Sequence, residues 1–286
     1  MTRTTVSGRE ALGTRGKAAA LATVAAVTIA GLGITPPAYS ADGPECPQAF
    51  PIGSLVKDQP VTGLTVVEGT VPEQFTGQVI GVLDDGIALG VDMILARLTS
   101  PEIDRVGVWS GMSGSPVYAA DGRLVGAVSY TLVWGSTPVA GLTPAEDMAD
   151  VLSRGGVRSL AVDPQVEIPD RLQDRMVALG DVTSAQADSG MAPLRLPLGV
   201  SGLGAGRRYQ QLDESLARAG KGAEFRTVRM GAAGAGDLDA SDITAGGNVA
   251  AAISYGDVSF AALGTATMVC GDDVVAFGHP FAWSGP

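Results

Sequence analysis

Between Val61 and Leu98 the apolar and β-branched residues come in short runs: Leu64-Thr65-Val66-Val67, Gln78-Val79-Ile80-Gly81-Val82 and Met93-Ile94-Leu95-Ala96-Arg97-Leu98. Gly, Asp or Pro breaks each run. Runs of this length between turn formers read as strands, because branched side chains pack well on a pleated surface and Gly and Pro punctuate it. The pattern resumes at Val117 to Tyr130, a hairpin predicted to turn at Asp121-Gly122, a favoured turn dipeptide. It returns from Val249 to Val275, broken at Gly256-Asp257 and Gly271-Asp272. Forty glycines in 286 residues, with many Val, Thr and Ala, suit strands and turns better than long helices. The expected fold class is mostly β with a few short helices.

Two helices stand out. Thr143-Pro144-Ala145-Glu146 combines a good N-cap, a proline at the first helical position and a glutamate placed to close a capping box. This predicts a helix to about Arg154, stopped by Gly155-Gly156. Tyr209 to Ala219, ended by Gly220, is the second. Residues 156–206 carry scattered Pro and Gly and only moderate apolar content, and Gly231 to Gly236 reads as a flexible link. The expected organisation is therefore 1–40 leader, 41–60 Pro-rich lead-in, 61–155 β-rich, 156–236 insert or linker, and 237–286 β-rich.

The leader has the form of an export signal. Arg3, Arg9, Arg15 and Lys17 precede an apolar stretch from Ala18 to Ile34, and Ala38-Tyr39-Ser40 offers small residues at the two positions signal peptidase reads. Cleavage is expected between Ser40 and Ala41, giving a secreted or cell-envelope protein with no stable membrane insertion. The alternative is a retained anchor, since an apolar run of about 17 residues lies near the lower limit for a span. Removing the leader's four basic residues and Glu10 from 19 Lys+Arg and 30 Asp+Glu leaves 15 against 29, a net charge of −14. Such a surface repels phosphate backbones, which argues against nucleic-acid partners. Cys46 and Cys270 can pair in an oxidising compartment or remain a surface and a buried thiol. Two distant Cys and one His lack metal-ligand spacing, so no metal is expected. Gly202, Gly204 and Gly206 lack the spacing and following Lys of a phosphate loop, and no cofactor is expected.

Chemistry concentrates at Gly111-Met112-Ser113-Gly114-Ser115-Pro116, which leads into the predicted hairpin. A Gly-x-Ser-Gly-x-Pro turn can aim the amides of Gly111 and Ser113 at one point, as an oxyanion hole for acyl transfer. Ser113 would be the nucleophile and needs a base. The chain has one histidine, His279, in Phe277-Gly278-His279-Pro280-Phe281. Ser115 is a rival nucleophile, but it sits where the pattern has its second glycine.

These motifs resemble the SpoIVB-type serine peptidases of bacteria, named for a sporulation signalling protease. The likeness runs from Gly-Met-Ser-Gly-Ser-Pro through Gly122-Arg123-Leu124-Val125-Gly126-Ala127-Val128. It extends to Val67–Phe75, Ile94–Leu98, Pro138–Pro144, Gly264–Thr267 and Ala276–Phe281. It implies a trypsin-like double β-barrel and a serine endopeptidase acting on a protein or peptide, with the chain itself among the substrates. By motif, Ser113 is the nucleophile, His279 the general base, and Gly111 and Ser113 line the oxyanion hole.

Two features depart from the family. The sporulation protease has its acid in a Thr-Asp-Pro tripeptide, where this chain has Thr99-Ser100-Pro101. Asp92, in a strand-like Val91-Asp92-Met93-Ile94-Leu95, is the expected substitute; Asp104, Asp272 and Asp273 compete, and a Ser-His dyad is the other option. The serine also precedes the histidine here, which a triad defined by geometry permits. The end at Pro286, shortly after Phe281, suggests a chain truncated before its last strands. The alternative function is a non-catalytic exported module, derived from a peptidase, that holds peptides or an envelope partner in the old cleft.

Overall fold

The computed structural model describes residues 46–154, 164–180, 182–203, 206–231 and 240–279. The leader and most of the Gly231–Gly236 link lie outside them. The strands predicted from the punctuated runs are present as β1 (Pro60–Thr65), β2 (Glu73–Ala88), β3 (Val91–Thr99), β4 (Pro116–Ala119) and β5 (Leu124–Leu132), and a further strand, β6 (Val139–Pro144), follows where no run had marked one. Each is antiparallel to two others, in the ring β1-β2-β3-β6-β5-β4 and back to β1. The ring closes a six-stranded barrel and so leaves these strands no free edge. Its interior draws one buried apolar residue or more from every strand, among them Val61, Phe75, Ile94, Val117, Val128 and Leu142.

Four helices accompany the barrel: α1 (Pro101–Val106), α2 (Ala145–Arg154), α3 (Asp170–Ala178) and α4 (Ser184–Asp188). The buried Leu172 and Met176 of α3 pack in one cluster with Met93, Leu95 and Tyr130, which point the other way from the barrel interior. Among the described residues no helix is long and apolar enough to cross a membrane.

Among the described residues of the segment expected as an insert or linker, 156–236, three strands join the sheets. Strand β7 (Met191–Pro193) pairs with β5, and β8 (Leu196–Ser201) and β9 (Phe225–Arg229) pair in parallel with each other. Between β8 and β9 lies α5 (Arg207–Arg218), the helix expected at Tyr209 to Ala219, with Gly220 at φ +73° beyond it. A second sheet of five strands forms in the order β10-β11-β8-β9, from β10 (Asn248–Ser254) and β11 (Ser259–Cys270), with β12 (Asp273–Ala276) also on β11. Among the described residues this sheet is a path, not a second ring. Cys46 and Cys270 form a disulfide that ties the chain ahead of β1 to the end of β11, 224 residues away.

The Thr143–Glu146 motif behaves differently from its local reading. Strand β6 runs on through Pro144 and α2 starts at Ala145, so Thr143 is a strand residue and not the cap. Its hydroxyl donates to the carbonyl of Gly278, and the Glu146 carboxylate accepts the amide of Ile52 at 2.9 Å. Tertiary partners have taken both side chains away from the helix end.

Candidate active site

The nucleophile motif is delivered by a short excursion from the barrel. After β3, Ser100 caps α1 by accepting the amide of Ile103 at 3.1 Å, with Pro101 in the first turn. The Thr99-Ser100-Pro101 stretch, where the resemblance puts an acid, therefore serves here as a helix start. Gly107, at φ +74°, returns the chain to a 3₁₀ turn at Ser110–Met112, and Ser113 follows directly.

Gly114 holds φ +95°, and a β-carbon there would sit 2.1 Å from the Thr265 carbonyl oxygen and 2.5 Å from the Phe277 amide nitrogen. Only glycine fits. Strand β11 grips the loop from the other side. The Thr265 amide donates to the Ser113 carbonyl at 2.8 Å, the Thr265 hydroxyl to the Gly111 carbonyl at 3.0 Å, and the Thr267 hydroxyl to the Gly114 carbonyl at 2.7 Å.

The histidine arrives from β12 through Phe277 and Gly278, both left-handed at φ +70° and +67°. This double turn sets His279 Nε2 2.6 Å from Ser113 Oγ. Two residues 166 positions apart, picked out by motif, are thus in hydrogen-bond contact. Ser113 Oγ also lies 2.6 Å from the Phe277 carbonyl, to which it donates. One hydroxyl proton cannot serve both acceptors. With that proton on the Phe277 carbonyl, Nε2 must carry its own proton and point it at Oγ. Attack needs the opposite arrangement, with Oγ–H directed at a bare Nε2.

Two further features mark the resting state as closed. Ser113 is 0% exposed. Its amide donates to the Ser110 carbonyl at 3.3 Å, closing the 3₁₀ turn, so this amide is engaged inside the loop and not offered to a substrate oxygen. Gly111 lines an open cleft of about 340 Å³ with Val66, Val67, Glu68, Val249 and Leu263. This cleft adjoins β10, which is at the end of the strand order among the described residues.

Ser115 is also fully buried and donates to Thr65 Oγ1 at 2.9 Å, a tie between the loop and β1. Asp92 is at the start of β3, and the hydrogen bond it makes is with the amide of Asp85, at 2.9 Å, across the β2–β3 hairpin. Asp85 in turn receives the amide of Gly90. The Asp92 carboxylate thus braces that hairpin. Asp104 is exposed on α1, and Asp272 and Asp273 are exposed at the β11–β12 turn. Among the described residues no three His, Cys, Asp or Glu gather as a metal cluster.

Sequence reasoning gave no role to Thr265, Thr267 or Ser129, and read Thr143 as a helix cap with no part in the site. Their available signal was chemical: hydroxyls in runs otherwise apolar, at strand positions whose side chains are buried. No protein-family model matches this chain, and no characterised protein matches it.

Proposed function

We propose that the chain is an exported serine endopeptidase of the SpoIVB type, with the closed ring as the first barrel of a trypsin-like pair and the five-stranded sheet as the second. The observation that carries this reading is the 2.6 Å contact between Ser113 Oγ and His279 Nε2. Ser113 Oγ attacks the peptide carbonyl carbon while its proton passes to Nε2. The C–N bond then breaks, and the departing amine takes that proton. Water repeats the sequence on the acyl-serine: its proton goes to Nε2, the acid product leaves, and Ser113 regains its hydroxyl proton.

Two local movements and a proton exchange precede attack. The imidazole exchanges, through solvent, its Nε2 proton for one on Nδ1. The Ser113 hydroxyl turns from the Phe277 carbonyl to the bare Nε2, and the Ser110–Gly111 peptide rotates to release the Ser113 amide. Gly111 permits that rotation because it has no β-carbon. The freed amides of Gly111 and Ser113 would then stabilise the oxyanion, and the neighbouring cleft would take a substrate side chain. The leader directs the chain out of the cell and is removed between Ser40 and Ala41.

A second reading, a non-catalytic exported peptide-binding module, is favoured by the complete burial of Ser113. Incubation with an unfolded protein substrate separates the two. Endopeptidase activity predicts fragments from the wild type and a loss on the order of 10⁶-fold in turnover for Ser113→Ala. Equal cleavage by Ser113→Ala removes Ser113 as the nucleophile, and binding of the substrate without any cleavage supports the module.

A further inference from the structure

The two reacting residues are braced crosswise. Ser113 precedes β4 of the barrel, yet threonines of β11 in the second sheet hold its loop. His279 follows β12 of the second sheet, yet its turn is held by the barrel. Thr143 Oγ1, in β6, donates to the Gly278 carbonyl at 2.5 Å. Ser129 Oγ, on the adjacent β5, lies 2.8 Å from Thr143 Oγ1 and 3.3 Å from the Gly141 carbonyl.

Proton count gives this chain of groups a direction. Thr143 has one hydroxyl proton, and the Gly278 carbonyl takes it, so the 2.8 Å contact between the hydroxyls draws on the Ser129 proton, in competition with the longer 3.3 Å bond that Ser129 donates to the Gly141 carbonyl. Ser129 is 0% exposed and Thr143 9%, which makes an unpaired hydroxyl costly at either place. A valine would fill the Thr143 site with nearly the same shape and no polar group to satisfy. The hydroxyl has one long-range partner, the carbonyl of the peptide that enters His279. That peptide has little room to adjust by itself: a β-carbon on Gly278 would lie 3.1 Å from both Ala127 Cβ and the Val128 carbonyl oxygen.

We propose that Thr143, oriented by Ser129, is a positioning residue for the His279 base. It fixes the plane of the Gly278–His279 peptide and so the direction of the imidazole toward Ser113. The proposal rests on the peptidase reading for its catalytic meaning, but its geometric content can be tested separately.

The single histidine makes that test direct, because the imidazole ¹⁵N signals of the untagged full-length protein belong to His279 alone. Thr143→Val, Thr143→Ser and Ser129→Ala are compared with wild type by these signals, by the rate of fluorophosphonate labelling and by thermal melting. Thr143→Val is expected to shift or split the imidazole signals and to slow labelling at least about tenfold. Thr143→Ser restores both to near wild type, and Ser129→Ala has a smaller effect of the same kind. Unchanged imidazole signals in Thr143→Val overturn the proposal. So does a Thr143→Ser protein as impaired as Thr143→Val when both melt like wild type. If Thr143→Val does not fold, Ser129→Ala and Thr143→Ser carry the decision: unmoved signals and rates in Ser129→Ala count against the relay. A wild type that never labels removes the peptidase reading, while the imidazole signals still decide whether Thr143 orients the ring.

Discussion

A single added methyl group shows how tightly the nucleophile turn is held. At Gly114 it would meet backbone on two sides in a left-handed conformation, whereas at Gly122, φ +85°, it meets nothing within 4 Å. Gly114→Ala is expected to cost about 2–3 kcal/mol of stability and Gly122→Ala about 1 kcal/mol, measured by urea unfolding. Equal costs would mean that the turn relaxes freely. At Asp92 the question is electrostatic. Asparagine keeps an oxygen for the Asp85 amide and removes the charge, so Asp92→Asn is expected to leave the labelling rate within about threefold. A drop on the order of 10⁴-fold would make Asp92 the acid of a triad. Ser113 and His279 could be found by reading because each sits in a compact motif, and because the chain offers no second imidazole. Thr143 could not: Thr-Pro-Ala-Glu satisfies every local rule for a helix start, and only the distant Gly278 carbonyl reveals its other role.

Among the elements, β11 has the most to hold. It pairs with β8, β10 and β12, supplies Thr265 and Thr267 to the nucleophile loop, and ends at the disulfide. Cross-linking positions 46 and 270 constrains the unfolded chain over a long loop, so reduction, or Cys46→Ser with Cys270→Ser, is expected to lower unfolding free energy by about 2–5 kcal/mol. Chemical denaturation with and without reductant measures it, and an unchanged midpoint would show that the bond constrains nothing. Five strands of the barrel were legible because Gly, Asp and Pro mark their ends, while β6 was hidden by the helix-start signal at Thr143-Pro144. The strands within 156–236 were not legible either, for physical reasons. Strand β7 has three residues, and β8 finds its parallel partner β9 only beyond α5. Such pairing is fixed by burial against distant sheets and leaves little trace in local pattern.

At the scale of the whole molecule, a closed barrel and a second sheet meet where Ser113 and His279 meet, and each sheet holds the residue that the other carries. Burial of Ser113 and the engaged Ser113 amide close the site, so the proposed activity requires small rearrangements within one loop and one turn. The mostly β class and the barrel were within reach of the sequence, whereas the crossed bracing needed coordinates because its bonds span more than 100 residues. The measurement that bears most directly on the central claim is fluorophosphonate labelling of the purified protein, with mass spectrometry to locate the adduct. Ser113→Ala and His279→Ala are measured alongside. The account predicts one label per chain, on Ser113 and not Ser115, and its loss in both variants while their folds persist. A folded wild type that stays unlabelled, or a label that survives Ser113→Ala, would contradict it.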